Sequence, residues 1–223
     1  ATLKIIKINA PKPIPPIMTS LAIALIANDK MDLIIQKAVE LGVNRIIPVY
    51  TERSARLVEE RSSNRLNHWQ NIIISSCSQC GQNLLPTIAL PISINSLFEN
   101  PEYDVKIIMN VPEKDCHARQ SLTRNDDAQH SRACNDDLRG NDIFMSSSGK
   151  SSGSVIKQAI LLVGPEGGFT DEEIKRAILH NYESLQLGNL IMRAETAAIA
   201  GLSVLNLYLR AWIPVCTGMT GYI

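Results

Sequence analysis

Short continuous apolar runs alternate along this chain with longer stretches in which apolar residues recur every three or four positions. Runs at 21–26, 45–50, 105–110, 160–164 and 184–187 have strand length and are bounded by turn residues, which predicts buried strands. Helical spacing predicts helices over 31–41, 62–80, 170–181 and 195–209. In the first of these Leu33, Ile34, Ala38 and Leu41 form the apolar stripe, Gln36, Lys37 and Glu40 face away, and Gly42 ends it. Gly81 ends the second. The last is apolar nearly all round, with Ser203 and Asn206 its strongly polar members, and is expected to be buried on most sides by its own domain or a partner subunit. This alternation predicts an α/β fold, a mostly parallel sheet with helices on both faces. Ligands of such sheets collect outside the carboxyl ends of the strands.

Two loops fall at such ends. The first, Gly164-Pro165-Glu166-Gly167-Gly168, leaves an apolar run and enters a helix marked by Thr170 and Glu173 at capping-box spacing. Its glycines let the backbone approach a ligand without interference from Cβ. It lacks the Lys-Ser/Thr of a P-loop and the Gly-x-Gly-x-x-Gly of a dinucleotide fingerprint. Its carboxylate, Glu166, disfavours a polyphosphate and favours hydroxyl and amine donors or a positive charge. An ordinary tight turn would carry the same glycines and proline. The second loop, Leu187-Gly188-Asn189-Leu190-Ile191-Met192-Arg193, runs into a helix whose first turn carries Glu195 and Thr196. A capping glutamate with an arginine partner is the plain alternative there.

Gly-Pro-Glu-Gly-Gly-Phe at 164–169 and Leu-Gly…Arg-x-Glu-Thr-Ala at 187–197 resemble the cofactor loops of the bacterial small-subunit ribosomal RNA uridine-N3 methyltransferases, of the trefoil-knotted (SPOUT) superfamily. Lys30-Met31-Asp32, Gln36 to Val43, Pro48, Glu52-Arg53-Ser54, Trp69 and Gln79-Cys80-Gly81 extend the similarity, which covers about 21–209. The resemblance implies a carboxyl-terminal trefoil knot, S-adenosylmethionine as cofactor, 16S ribosomal RNA as substrate, a homodimer and a cytoplasmic location. It assigns Gly164, Pro165, Glu166, Gly167, Gly168, Leu187, Gly188, Leu190, Ile191 and Met192 to the cofactor. Arg193 is expected to stabilise the uracil anion or touch a substrate phosphate. Glu195 is expected to orient Arg193 or accept a proton, and Thr196 to supply a hydroxyl or cap the helix. The general base is left open among these.

The chain departs from the family pattern where Asn189-Leu190-Ile191-Met192-Arg193 replaces Pro-Arg-Ile-Leu-Arg, with the loss of one arginine, and where Val111-Pro112-Glu113 replaces His-Pro-Glu. Residues 1–20 are read as the remnant of an amino-terminal RNA-binding (PUA-like) β-barrel and its Pro-rich linker, and 21–210 as the methyltransferase domain. The polar stretch 114–154 has too few core formers to offset its ordering entropy and is expected to be a disordered insertion. Residues 211–223 have a similar repeat-like character. These departures support a second reading, a degenerate remnant that binds cofactor without methylating. A third, an adenine-nucleotide regulatory module, rests on the Gly-rich turn alone.

Composition alters this picture little. A hydrophobic content of 45% over 223 residues suffices for one core. Balanced charge, 22 basic and 22 acidic residues, is unusual for a free-standing RNA binder and agrees with loss of a basic targeting domain. No signal peptide or membrane-spanning stretch is expected. Cys77 and Cys80 have Cys-x-x-Cys spacing, but no second pair and no histidine spacing accompany them, so reduced thiols on a helix are expected and no metal.

Overall fold

The computed structural model describes residues 17–54, 62–109 and 157–217, without the side chains of 62, 63 and 210–217. The expected amino-terminal remnant strand and linker, the Val111-Pro112-Glu113 segment, the 114–154 insertion and the end of the tail lie outside the described residues. The elements are β1 (Met18–Ala24), α1 (Asn28–Glu40), β2 (Arg45–Tyr50), α2 (Ser62–Cys80), β3 (Thr87–Ile88), β4 (Ile92–Ser93), α3 (Ile94–Phe98), β5 (Val105–Met109), β6 (Gln158–Val163), α4 (Asp171–Leu179), β7 (Glu183–Leu185) and α5 (Ala194–Thr217).

β1 and β6 lie at the centre and are the most completely buried strands, covered on both sides. They pair in parallel over Met18↔Gln158 to Ile23↔Val163. The sheet order is β3-β2-β1-β6-β5-β7, with β4 also on β2, and every pairing is parallel. Side chains alternate between two cores, as the two-residue period of a strand demands. Leu21, Ile23, Ala159, Leu161 and Val163 pack with α1, α2 and α5, whereas Ala22, Ile160 and Leu162 pack with α3 and α4. The sheet thus carries helices on both faces, as expected. Among the described residues no helix is long and apolar enough to cross a membrane.

Several expected details are corrected. β1 begins at Met18 rather than 21, and its polar Thr19 and Ser20 are buried because Asn44 extends the pairing. Asn44 Oδ1 accepts from Thr19 N–H at 2.9 Å, and Asn44 N–H donates to Thr19 O at 2.8 Å. Leu33 is exposed, since the buried stripe of α1 runs through Met31, Ile34, Ile35, Ala38 and Val39. β3, β4 and α3 were not expected; two-residue strands and a five-residue helix leave too short a pattern to read. α5 runs on to Thr217, beyond the expected end at 209. Its own domain covers one side of it: Ala194, Ala197, Ala198, Leu202, Leu205 and Leu209 face the core, while Ser203 is exposed and Leu207 is 71% exposed.

Candidate functional site

Because the sheet is parallel, the loops after β1, β2, β6 and β7 all open at one edge. The loop after β6 is held from three sides. Pro165 O accepts from Gly168 N–H at 2.9 Å, closing a tight turn in which Gly168 takes φ +69°, a conformation that costs a side-chain-bearing residue energy. A Cβ on Gly164 would lie 3.0 Å from the Phe169 ring, which folds back over the loop. From the loop after β2, Arg53 Nη1 donates to Gly167 O at 2.9 Å and to Phe169 O at 3.4 Å. The capping box forms as its spacing predicts: Thr170 N–H donates to Glu173 Oε2 at 2.9 Å and Glu173 N–H to Thr170 Oγ1 at 3.3 Å. The buried Glu173 also accepts the Glu52 N–H through Oε1 at 2.9 Å. This is a braced loop rather than an ordinary turn.

The loop after β7 is anchored at its ends and open at its tip. Leu187 and Met192 pack against the core, whereas Leu190 is 85% and Ile191 59% exposed. Gln186 Nε2 donates to Gly188 O at 2.9 Å. Arg193 is the residue before α5, and its carbonyl accepts from Ala197 N–H at 2.8 Å. Thr196 is the third residue of α5 and exposed, so it does not cap the helix. Glu195 lies in the first turn, where its charge suits the helix dipole, and its Oε2 is buried without a hydrogen-bond partner. Among the described residues no ion pair joins Arg193 to Glu195, so the expected orienting role is not formed.

The loop after β6 is tied to α1 by a residue that sequence reasoning noted but gave no part. Lys30, in the first turn of α1, donates from Nζ to Glu166 Oε1 at 2.8 Å. That hydrogen bond holds the Glu166 carboxyl below its usual range and raises the Lys30 ammonium. Glu195 adds to the rise at Lys30 and Arg193 opposes it, which puts both within electrostatic reach of the same ammonium. Lys30 and Glu166 thus form an ion pair that feels the opposite charges of Arg193 and Glu195. The lysine offsets the Glu166 charge, and Glu195 Oε2 is a further acceptor without a donor. No local signal marks Lys30, Glu52 or Arg53, because their partners lie more than a hundred residues away in sequence.

Elsewhere Cys77 is buried and Cys80 exposed, both free thiols, and burial raises the Cys77 thiol. Among the described residues no group of three or more His, Cys, Asp or Glu is placed to hold a metal ion.

Comparison with known proteins gives this geometry a context. Residues 13–206 match the family described as RNA methyltransferase domain. The ribosomal RNA small subunit methyltransferase E of Mesomycoplasma hyopneumoniae is 31% identical over 180 residues, covering 80% of this chain and 65% of the relative. Its namesake from Buchnera aphidicola is 29% identical over 210 residues, covering 91% and 70%. Among solved structures, the Neisseria gonorrhoeae enzyme of that name, bound to S-adenosyl methionine, is 27% identical with a TM-score of 0.64, covering 86% of this chain and 67% of its own. A Legionella pneumophila protein solved with the cofactor SAM is 29% identical with the same TM-score and the same coverage. The chain thus spans about two thirds of the length of these relatives. With most of its residues inside the matched region, it belongs to the RNA methyltransferase domain family.

Proposed function

We propose that this chain transfers a methyl group from S-adenosylmethionine to N3 of a uridine in the 16S ribosomal RNA of the small subunit, working in the cytoplasm as a homodimer. Family membership and the names and bound cofactor of its relatives support this reading. The observation that carries it is the Lys30–Glu166 ion pair at the strand edge where both loops open, with the charges of Arg193 and Glu195 in electrostatic reach of it. The residues present fit the cofactor. Gly167 is exposed and bare, Leu190 and Ile191 offer exposed apolar surface, and Glu195 Oε2 is a buried acceptor without a donor.

Backbone groups of Gly164–Gly168 and of 187–192 would hold the adenosine and methionine parts. When bound, the cofactor supplies a methyl group on a sulfonium, an electrophile with a neutral thioether as leaving group. Uridine N3 carries a proton and is a poor nucleophile until it is removed. The Glu195 carboxylate accepts that proton, and the Arg193 guanidinium, exposed at the mouth of α5, stabilises the negative charge that spreads onto the uracil carbonyl oxygens. Thr196, exposed beside them, offers its hydroxyl to the substrate. The carboxyl-terminal trefoil knot implied by the resemblance belongs to the same proposal, as the element that keeps both loops in one cradle.

Titration calorimetry with S-adenosylmethionine, paired with methylation of small subunits lacking the mark, tests this directly. The wild-type chain should both bind and transfer. Arg193→Ala should leave cofactor affinity within about twofold and lower transfer by about a hundredfold or more, as loss of an anion-stabilising group does. Binding without transfer by the wild-type chain would establish the degenerate-remnant reading instead.

A further inference from the structure

The first turns of α1 serve two sites. Asn28 and Asp32, one helical turn apart, share a face, and Lys30, midway between them in sequence, points to the opposite side towards Glu166. The Asn28 and Asp32 face meets the start of α2 across a cavity of about 340 Å³, lined also by Asn64, Arg65, His68 and Trp69. Trp69 is buried against the core and gives the cavity a fixed aromatic wall. His68 Nε2 lies 2.7 Å from Asp32 Oδ2. The other carboxylate oxygen, Asp32 Oδ1, is buried and has no hydrogen-bond partner. Arg65 forms no ion pair among the described residues, and the capping residue of α1, Ala27, brings no side chain to the free amides of the first turn.

These groups make opposite demands. Arg65 and the free amides suit an anion, whereas the orphaned Asp32 oxygen needs a hydrogen-bond donor. Inorganic phosphate would satisfy the first and meet the Asp32 charge. A cation or neutral sugar would leave Arg65 unmatched. A ribonucleotide unit meets both demands, with its phosphate towards Arg65 and its 2′-hydroxyl donating to Asp32, a carboxylate–ribose contact of a common kind. The cavity volume falls in the range of small-ligand sites.

We propose that this cavity is a second RNA subsite, which takes the ribose-phosphate of a nucleotide flanking the one that is methylated. The proposal rests on the methyltransferase reading for the identity of the strand. The subsite lies across α1 from the Lys30–Glu166 pair, a distance of about one helix diameter, roughly 10 Å. Its Asp32 oxygen selects RNA over DNA, because a deoxynucleotide would leave that buried acceptor unsatisfied.

The test is equilibrium binding of a fluorescein-labelled hexauridylate, and of its deoxyuridine counterpart, to the full chain without cofactor, read by anisotropy. Wild type should prefer the RNA by about tenfold, the size expected for one hydrogen bond to a charged group. Arg65→Ala should weaken both oligonucleotides by about tenfold, and Asp32→Ala should reduce the RNA preference to within about twofold. Arg65 is partly exposed, so Arg65→Ala is expected to fold even if Asp32→Ala does not, and melting curves identify any variant that has lost its fold. Equal binding of RNA and DNA by wild type, indifference to Arg65→Ala, or no binding of either oligonucleotide overturns the subsite. The cofactor titration is separate: oligonucleotide binding with this pattern but no S-adenosylmethionine binding would keep the subsite and sink the proposed activity, and the converse would do the reverse.

Discussion

Arg53 shows how much one side chain can decide at this site. Its guanidinium reaches two carbonyls of the loop after β6, and its stem lies against Gly167, where a Cβ would meet it at 3.4 Å. It touches no atom proposed to react, so its effect is on loop shape. Arg53→Ala should raise the dissociation constant for S-adenosylmethionine by about tenfold or more, the worth of a charge-assisted hydrogen bond, with a smaller effect on turnover at saturating cofactor. Arg53→Lys keeps the charge but not the planar guanidinium whose Nη1 serves both carbonyls, and should recover only part of the affinity. Calorimetry and initial rates measured on the same preparations check both. At this scale the sequence was legible where partners are local. Thr170 and Glu173 announced their capping box through spacing alone. Arg53, Lys30 and the second function of Glu173 were not legible, because each acts on a residue brought near only by the fold.

Among the elements, α5 approaches the sheet closely at one position, Gly201. A Cβ on Gly201 would lie 2.9 Å from Leu161 Cδ2 and 3.0 Å from Met109 Sδ, so the helix settles onto β5 and β6 through the one position without a side chain. Asn206 then fastens it to the end of α1 by donating to Leu41 O at 2.7 Å. Gly201→Val should force α5 away from the sheet and destabilise the fold by about 1–3 kcal/mol, measurable as a lowered melting temperature. Since Arg193 immediately precedes α5 and Glu195 lies in its first turn, cofactor affinity should fall as well. The long elements were readable because burial imposes a clear period on them: continuous for β1 and β6, three-to-four for α1 and α4. The edge elements β3, β4 and α3 were not, since they are too short to carry a pattern and are placed by their neighbours, β3 by β2 and α2, β4 by β2, α3 by β2 and α4.

For the whole molecule the open question is its partner. The exposed side of α5 carries Leu207 at 71% exposure, with Val204 and Tyr208 half-buried beside it. An apolar face on the helix that starts at the site gives a second copy something to cover, and the resemblance implies such a pair. Sedimentation at micromolar concentration should therefore show a dimer, and Leu207→Glu should shift it to monomer without unfolding it; a stable wild-type monomer removes the pairing from the proposal. The α/β architecture and its parallel sheet followed from strand–helix alternation. The meeting of α1 with the loop after β6 did not, since alternation fixes layers but not which helix end faces which strand end.

Glu173 reaches further than its place on α4 implies. One of its oxygens serves Thr170 and the other serves Glu52, a residue 121 positions earlier. The loops after β2 and β6 are thereby made mechanically dependent, so neither can be reshaped alone. An engineer who wished to fit the proposed site to a bulkier methyl donor would have to alter both segments together, or replace the carboxylate that couples them.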